Sequence, residues 1–198
     1  MTDKRVQRAA ARARAALGED FISCFYDRVE SALGVEVIVV PLRGDGYSLT
    51  LGGRRVIVLA ATGHWFRSNF TLAHELGHLL VEGIPPQDGK TVEDVANVFA
   101  ADLLMPVEII RSIDWLQAKA ATVARVIWDL GVSTQALEVR LRFLGIAPGN
   151  KARSALAMST EAPDMQIAVS IWRRHHNRVR LALPFRFKYA RFLPQGVN

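Results

Sequence analysis

From Phe70 to Val81 the chain reads Phe-Thr-Leu-Ala-His-Glu-Leu-Gly-His-Leu-Leu-Val, an apolar stretch interrupted by two histidines and a glutamate. Its apolar periodicity predicts a helix over 70–82 with Gly83 as the stop. His74 and His78, four residues apart, then share one face a turn apart. Polar groups in so apolar a helix are costly to bury without partners. Any fold this chain adopts must therefore bring something to that face. Both imidazoles can reach one metal ion at about 2.0–2.1 Å. Glu75 lies one position round, so it flanks the ion. From there it can take a proton from a water at the metal and pass it to a leaving amine. With five histidines and nine glutamates in 198 residues, His-Glu-x-x-His arises by chance roughly 0.006 times per chain.

A catalytic zinc site needs a third protein ligand and an open fourth position. Thr91-Val92-Glu93-Asp94 has the shape of a capping box opening a second helix, which ends near Met105 before Pro106. Between the two helices, Pro85-Pro86-Gln87-Asp88-Gly89 can reverse the chain. A helix returning antiparallel would present Glu93 to the histidines. Asn97, four residues on, shares that face and can hydrogen-bond a ligand histidine's other nitrogen. Asp94 competes with Glu93 but suits a first-turn capping role, so Glu93 is preferred. Glu82, two turns past His74, is too far along the helix.

The remaining pattern is helix, small sheet, then helices, which reads as an α+β fold. Asp20 opens an amphipathic helix closed by Gly34. Val35–Pro41 is a β-branched run. Two strand-like runs, 47–51 and 54–60, flank Gly52-Gly53, a hairpin signal that suggests a small antiparallel sheet. Helical patterns follow at about 107–118, 120–130 and 134–144. Gly131 and Ser133 mark a helix-turn-helix-like break between the last two. A recognition helix there would offer Thr134, Gln135, Glu138 and Arg142 to a major groove. Only Arg142 is basic, so packing of a helical pair is favoured over DNA binding.

Taken together, Phe70-Thr71-Leu72-Ala73-His74-Glu75-Leu76-Gly77-His78 and Glu93-x-x-Ala96-Asn97-x-Phe99-Ala100-Ala101-x-Leu103-Leu104-Met105-Pro106 resemble the ImmA/IrrE metallopeptidase family over about residues 20–146. The resemblance implies a zincin-like minimal metallopeptidase core. It implies His74, His78 and Glu93 as metal ligands and Glu75 as the base. Zinc is the expected metal by ligand type, and manganese is the alternative. The implied substrate is a helix-turn-helix transcriptional repressor, whose cleavage relieves repression of phage, mobile-element or stress genes. Two other readings stay open. One is a DNA-binding regulator whose metal site is structural or idle; the other is a toxin-like component of a two-gene module. Arg140, His64 and Tyr47 are candidates to stabilise the transition-state oxyanion.

Net charge divides the chain. Lys plus Arg is 25 and Asp plus Glu is 19, a net of +6. Residues 1–18, expected as a basic helix, hold five basic groups and one acidic. Residues 19–118, the expected peptidase core, hold seven and fourteen. The helix-turn-helix-like segment, 119–148, holds four and two, and the extension, 149–198, holds nine and two. The middle is acidic and both ends are basic, so the excess speaks to recruitment of a partner more than to chemistry. Interleaved aromatics and cations in Phe185-Arg186-Phe187-Lys188-Tyr189 make nucleic acid a candidate partner for the tail. A single cysteine, Cys24, rules out an intramolecular disulfide framework. No apolar run reaches the ~18–20 residues of a membrane span, and the basic start lacks a secretory apolar core. A cytoplasmic protein with no membrane partner is therefore expected.

Overall fold

The computed structural model describes residues 4–158, except 42, 63, 82 and 84–90. Eight helices and three strands appear among these residues. Helix α1, Lys4–Leu17, is followed by a 3-10 turn at Phe21–Cys24 and by α2, Phe25–Leu33. The strands are β1, Val35–Val40, β2, Gly46–Leu51, and β3, Arg54–Ala60. Helices α3, Trp65–Leu80, and α4, Val92–Leu104, form the centre. Behind them come α5, Val107–Arg111, α6, Ala120–Leu130, α7, Thr134–Phe143, and α8, Asn150–Leu156. The arrangement is the expected α+β, zincin-like core. No described helix is long and apolar enough to cross a membrane.

Helix α3 is the organising element. It packs on α4 along one side and on β2 and β3 along another, while α1 covers α4. Leu72, Ala73 and Leu76 of α3 and Ala96, Phe99 and Ala100 of α4 are fully buried. Each such aliphatic or aromatic side chain withdrawn from water contributes about 1.5–3 kcal/mol, with alanine contributing less. The His-Glu-x-x-His segment thus sits on a closely packed helix pair.

The hairpin forms where Gly52-Gly53 predicts it. Leu51 pairs with Arg54, and both glycines have positive φ, 55° and 81°, as a two-residue turn of the primed type requires. The wholly antiparallel sheet expected from that signal is corrected to a mixed one. Strand order is β1-β3-β2, and β1 pairs with β3 in parallel, Val35 opposite Arg55 through Val40 opposite Ala60. Burial explains the order. Val56, Ile57, Val58 and Leu59 are all buried, so β3 takes the centre, with both edges paired. The more exposed β2 is left on the rim.

Two helix boundaries also differ from expectation. Helix α3 starts five residues before Phe70, because Trp65 and Phe66 stack with Trp128 of α6, ring centroids 5.0 and 6.3 Å apart. Conversely, the helix expected over 107–118 stops at Arg111. Asp114 accepts hydrogen bonds from the backbone N–H of Leu116 and Gln117 at 3.1 and 3.2 Å. Its side chain thereby offers the backbone a turn in place of a further helical ladder.

Candidate metal centre

The two histidines and Glu93 come together. Helix α4 returns beside α3, and its first turn lies over the His74–His78 face. His74 Nε2 and His78 Nε2 are 3.0 Å apart. Oε2 of Glu93 is 3.1 Å from His74 Nε2, and Oε1 is 3.4 Å from His78 Nε2. Four ligands around zinc at about 2.0–2.1 Å would stand some 3.3–3.4 Å from one another. The three donors are thus spaced about as the edges of one coordination tetrahedron, and the Glu93 side chain is two-thirds exposed.

Chemistry of the donor set fits a cation. His74 Nδ1 donates to Oδ1 of Asn97 at 2.9 Å. That bond leaves the lone pair of His74 on Nε2, the atom facing His78 and Glu93. Electron-rich atoms converging on one point repel one another unless a positive charge stands between them. Residues His74, His78 and Glu93 form the one His/Cys/Asp/Glu group of this kind among the described residues.

Why the helices approach closely enough is visible at Gly77, inside the His-Glu-x-x-His segment. A Cβ at Gly77 would lie 3.0 Å from Ala96 Cα and 3.1 Å from Ala96 O. Only a glycine facing an alanine lets the two backbones come this near. Nothing in the spacing of ligands along the sequence announces Gly77 as part of the site. The signal available was the small residue repeated on both helices, Gly77 here and Ala96 one residue before Asn97.

Asp94, the competing ligand, is committed elsewhere. Its Oδ2 accepts from Thr91 N at 2.7 Å and Thr91 Oγ1 at 2.9 Å, while its own N–H donates to Thr91 Oγ1 at 3.2 Å. This is the capping box read from the sequence. Glu82 lies outside the described residues. Glu75 is 6% exposed, and no hydrogen bond or ion pair to it occurs among the described residues. The residue is thus sheltered, with no side-chain partner among the described residues.

Of the candidate oxyanion donors, Arg140 and His64 stand away from the three ligands. Arg140 is buried at the far end of α4, where Nη2 pairs with Asp102 Oδ1 at 2.6 Å and Nε donates to Met105 O at 3.0 Å. His64 is the N-cap of α3, ten residues and about 15 Å of helical rise before His74. Tyr47 stands exposed on β2.

The helix-turn-helix-like pair forms as read, with Gly131 closing α6 and Ser133 Oγ accepting from Ala136 N at 3.1 Å. Its use as a groove reader is weakened at one position. Thr134 is buried, donating through Oγ1 to Met158 O at 2.8 Å, so it is not on offer to a base. Asn69 of α3 ties the turn to the motif helix, donating to Gly131 O at 3.1 Å. Of the basic extension, α8 packs on α6 and α7 through Ala152, Ala155 and Leu156. The aromatic–cationic tail lies outside the described residues.

With this geometry in place, comparison with known families is decisive. The sequence profile of the M78 peptidases, described as the IrrE N-terminal-like domain, matches residues 31–142, more than half of the chain. The chain belongs to that family. The match spans the sheet, the histidine helix, the Glu93 helix and the helix-turn-helix-like pair. No curated protein matches the chain. A metallopeptidase-type function follows from the family, and among the described residues His74, His78 and Glu93 form a group that could hold a metal ion.

Proposed function

We propose that this M78 family member is a metal-dependent endopeptidase that uses His74, His78 and Glu93 as ligands and Glu75 as general base and acid. The observation that carries the proposal is the convergence of three donors at 3.0, 3.1 and 3.4 Å. Two neutral imidazoles and a carboxylate suit zinc best, with manganese the next candidate. A bound divalent ion would polarise a scissile carbonyl and make a neighbouring water more acidic.

The chain's own residues do the rest. Glu75 takes the proton from the attacking water and delivers it to the amine nitrogen as the peptide C–N bond breaks. Asn97 fixes the ring of His74 and its tautomer through the Nδ1 bond. The Gly77–Ala96 contact holds Glu93 within reach of both rings. For the substrate, the ImmA/IrrE resemblance supports a helix-turn-helix transcriptional repressor, cleaved to release repressed genes inside the cell.

Glu75→Gln tests the proposal in the full chain. It keeps the shape of the side chain and removes the proton acceptor. We expect equal metal content by elemental analysis and a fall in cleavage of a repressor encoded beside the gene by about 10²–10⁴-fold. Equal metal with equal cleavage by wild type and variant would remove Glu75 from the chemistry. Equal metal with no cleavage by either would transfer the weight to a structural metal site.

A further inference from the structure

Helix α1 stands outside the peptidase reading, and its surface is unusual. Its 14 residues hold Lys4, Arg5, Arg8, Arg12 and Arg14 and no acidic residue. The helix is docked, not free. Val6, Ala10, Ala13 and Leu17 are buried, and α1 lies against α4. One cation belongs to that packing: Arg14 donates to Leu103 O at 2.7 Å and sits over the Phe21 ring at 5.3 Å. Burial lowers its pKa from the ordinary arginine value.

The other face is different. Lys4, Arg8 and Arg12 are exposed and follow one another at four-residue intervals. Like charges at this spacing destabilise a helix. Cations in the first turn also oppose the positive end of the helix dipole. No acid on the helix relieves either effect. The row is thus arranged against the stability of the element that carries it, as expected of charges kept for an external anion.

The geometry points to the sugar–phosphate backbone of duplex DNA as that anion, and we propose that the Lys4–Arg8–Arg12 row is a DNA-docking surface. Four residues of helix rise about 6 Å, so the three cations span about 12 Å, a length over which one strand of duplex DNA presents three to four phosphates at about 3.4 Å of axis each. The exposed residues beside the row are Arg5, a further cation, and Ala11, Ala15 and Ala16, whose small side chains leave the middle and end of the row open to a groove edge. A membrane surface fits less well. The apolar face that an interfacial helix would insert is already buried in the protein, and the outer face has no large apolar side chain. The surface reads no sequence, since phosphate contacts position a protein without specifying bases. Its effect is to hold the protein on DNA; only the benefit of doing so, nearness to a DNA-bound repressor, rests on the proposed substrate. The site stands or falls independently of the peptidase chemistry.

Full-length protein and a fluorescent 20-base-pair duplex of arbitrary sequence test it by anisotropy between 50 and 200 mM salt. Three phosphate contacts contribute about 2.7 to the slope of log affinity against log salt, a roughly 40-fold fall across that range. Lys4→Gln, Arg8→Gln and Arg12→Gln together should remove that contribution, and each alone about one unit of slope. The triple variant should melt at the wild-type temperature or higher, since self-repulsion is relieved. The single variants carry the test if it does not. Unchanged affinity and slope in the α1 variants would overturn the proposal. So would a loss confined to the tail variant Arg173→Gln, Arg174→Gln, Arg178→Gln and Arg180→Gln. Competition by polyglutamate or anionic vesicles as effective as by duplex, at equal charge, would overturn DNA as the partner.

Discussion

Helix α4 carries two acidic clusters nine residues apart, and they are neutralised in opposite ways. At its first turn, Glu93 is exposed and faces two imidazoles. Near its last turn, Asp102 is buried with a protein cation, the guanidinium of Arg140, both side chains less than a tenth exposed. Burial raises the Asp102 pKa above the ordinary carboxylate value, while the hydrogen bond and charge of Arg140 pull it back. The second oxygen, Oδ2, has no hydrogen-bond partner among the described residues. One end is thus internally compensated and structural. The other gathers two imidazoles and a carboxylate, with no cation paired to them among the described residues and the Glu93 side chain exposed. The difference teaches how to separate a charge cluster that holds the fold from one that awaits a ligand.

Breaking the buried end should have the largest effect on stability. Arg140→Met leaves Asp102 buried without its partner and should cost about 3–5 kcal/mol, read from denaturant unfolding. Adding Asp102→Asn to that variant should recover much of the loss, because no buried charge is then left. Failure to recover would mean that the Nε bond to Met105 O carries the clamp.

The open end should respond to metal where the buried end does not. Zinc at a hundred times its dissociation constant should stabilise the wild type by about 2.7 kcal/mol, measured as a shift in thermal unfolding that a chelator reverses. Glu93→Gln should largely abolish the shift, and Arg140→Met should retain it. An unchanged shift in Glu93→Gln would remove Glu93 from the ligand set.

The smallest differences sharpen the comparison at the start of α4. Asn97→Ala should weaken metal binding about 10–100-fold by freeing the His74 ring, with little change in stability. Thr91→Ala should do the reverse, costing about 1 kcal/mol of stability through loss of the cap with near-normal metal affinity. Similar behaviour of the two variants would mean that helix fraying, not ring orientation, governs the site.

Much of the site was legible because its parts lie on helices of regular period. Four-residue spacing puts His74 and His78 on one face whatever surrounds them. The capping box at Thr91–Asp94 is a local contact that the sequence states outright. It removes Asp94 from competition and leaves Glu93 next to it. Arg140 was not legible in the same way. A lone arginine in a helix carries no mark of whether it faces a transition state or a buried aspartate 38 residues earlier.

The chain by itself determined its element types, the hairpin turn, the motif face and the family, since each rests on neighbours a few residues apart. Tertiary structure alone decided that β3 lies between β1 and β2, because strand order follows the most apolar strand into the centre. It alone decided that Gly77 and Ala96 bring two backbones into contact, and so that Glu93 reaches the histidines. It also set Arg14 of α1 on a carbonyl of the last turn of α4 while leaving Lys4, Arg8 and Arg12 facing outward. Such decisions depend on which surfaces meet, and contacts between residues far apart in sequence leave no period to read.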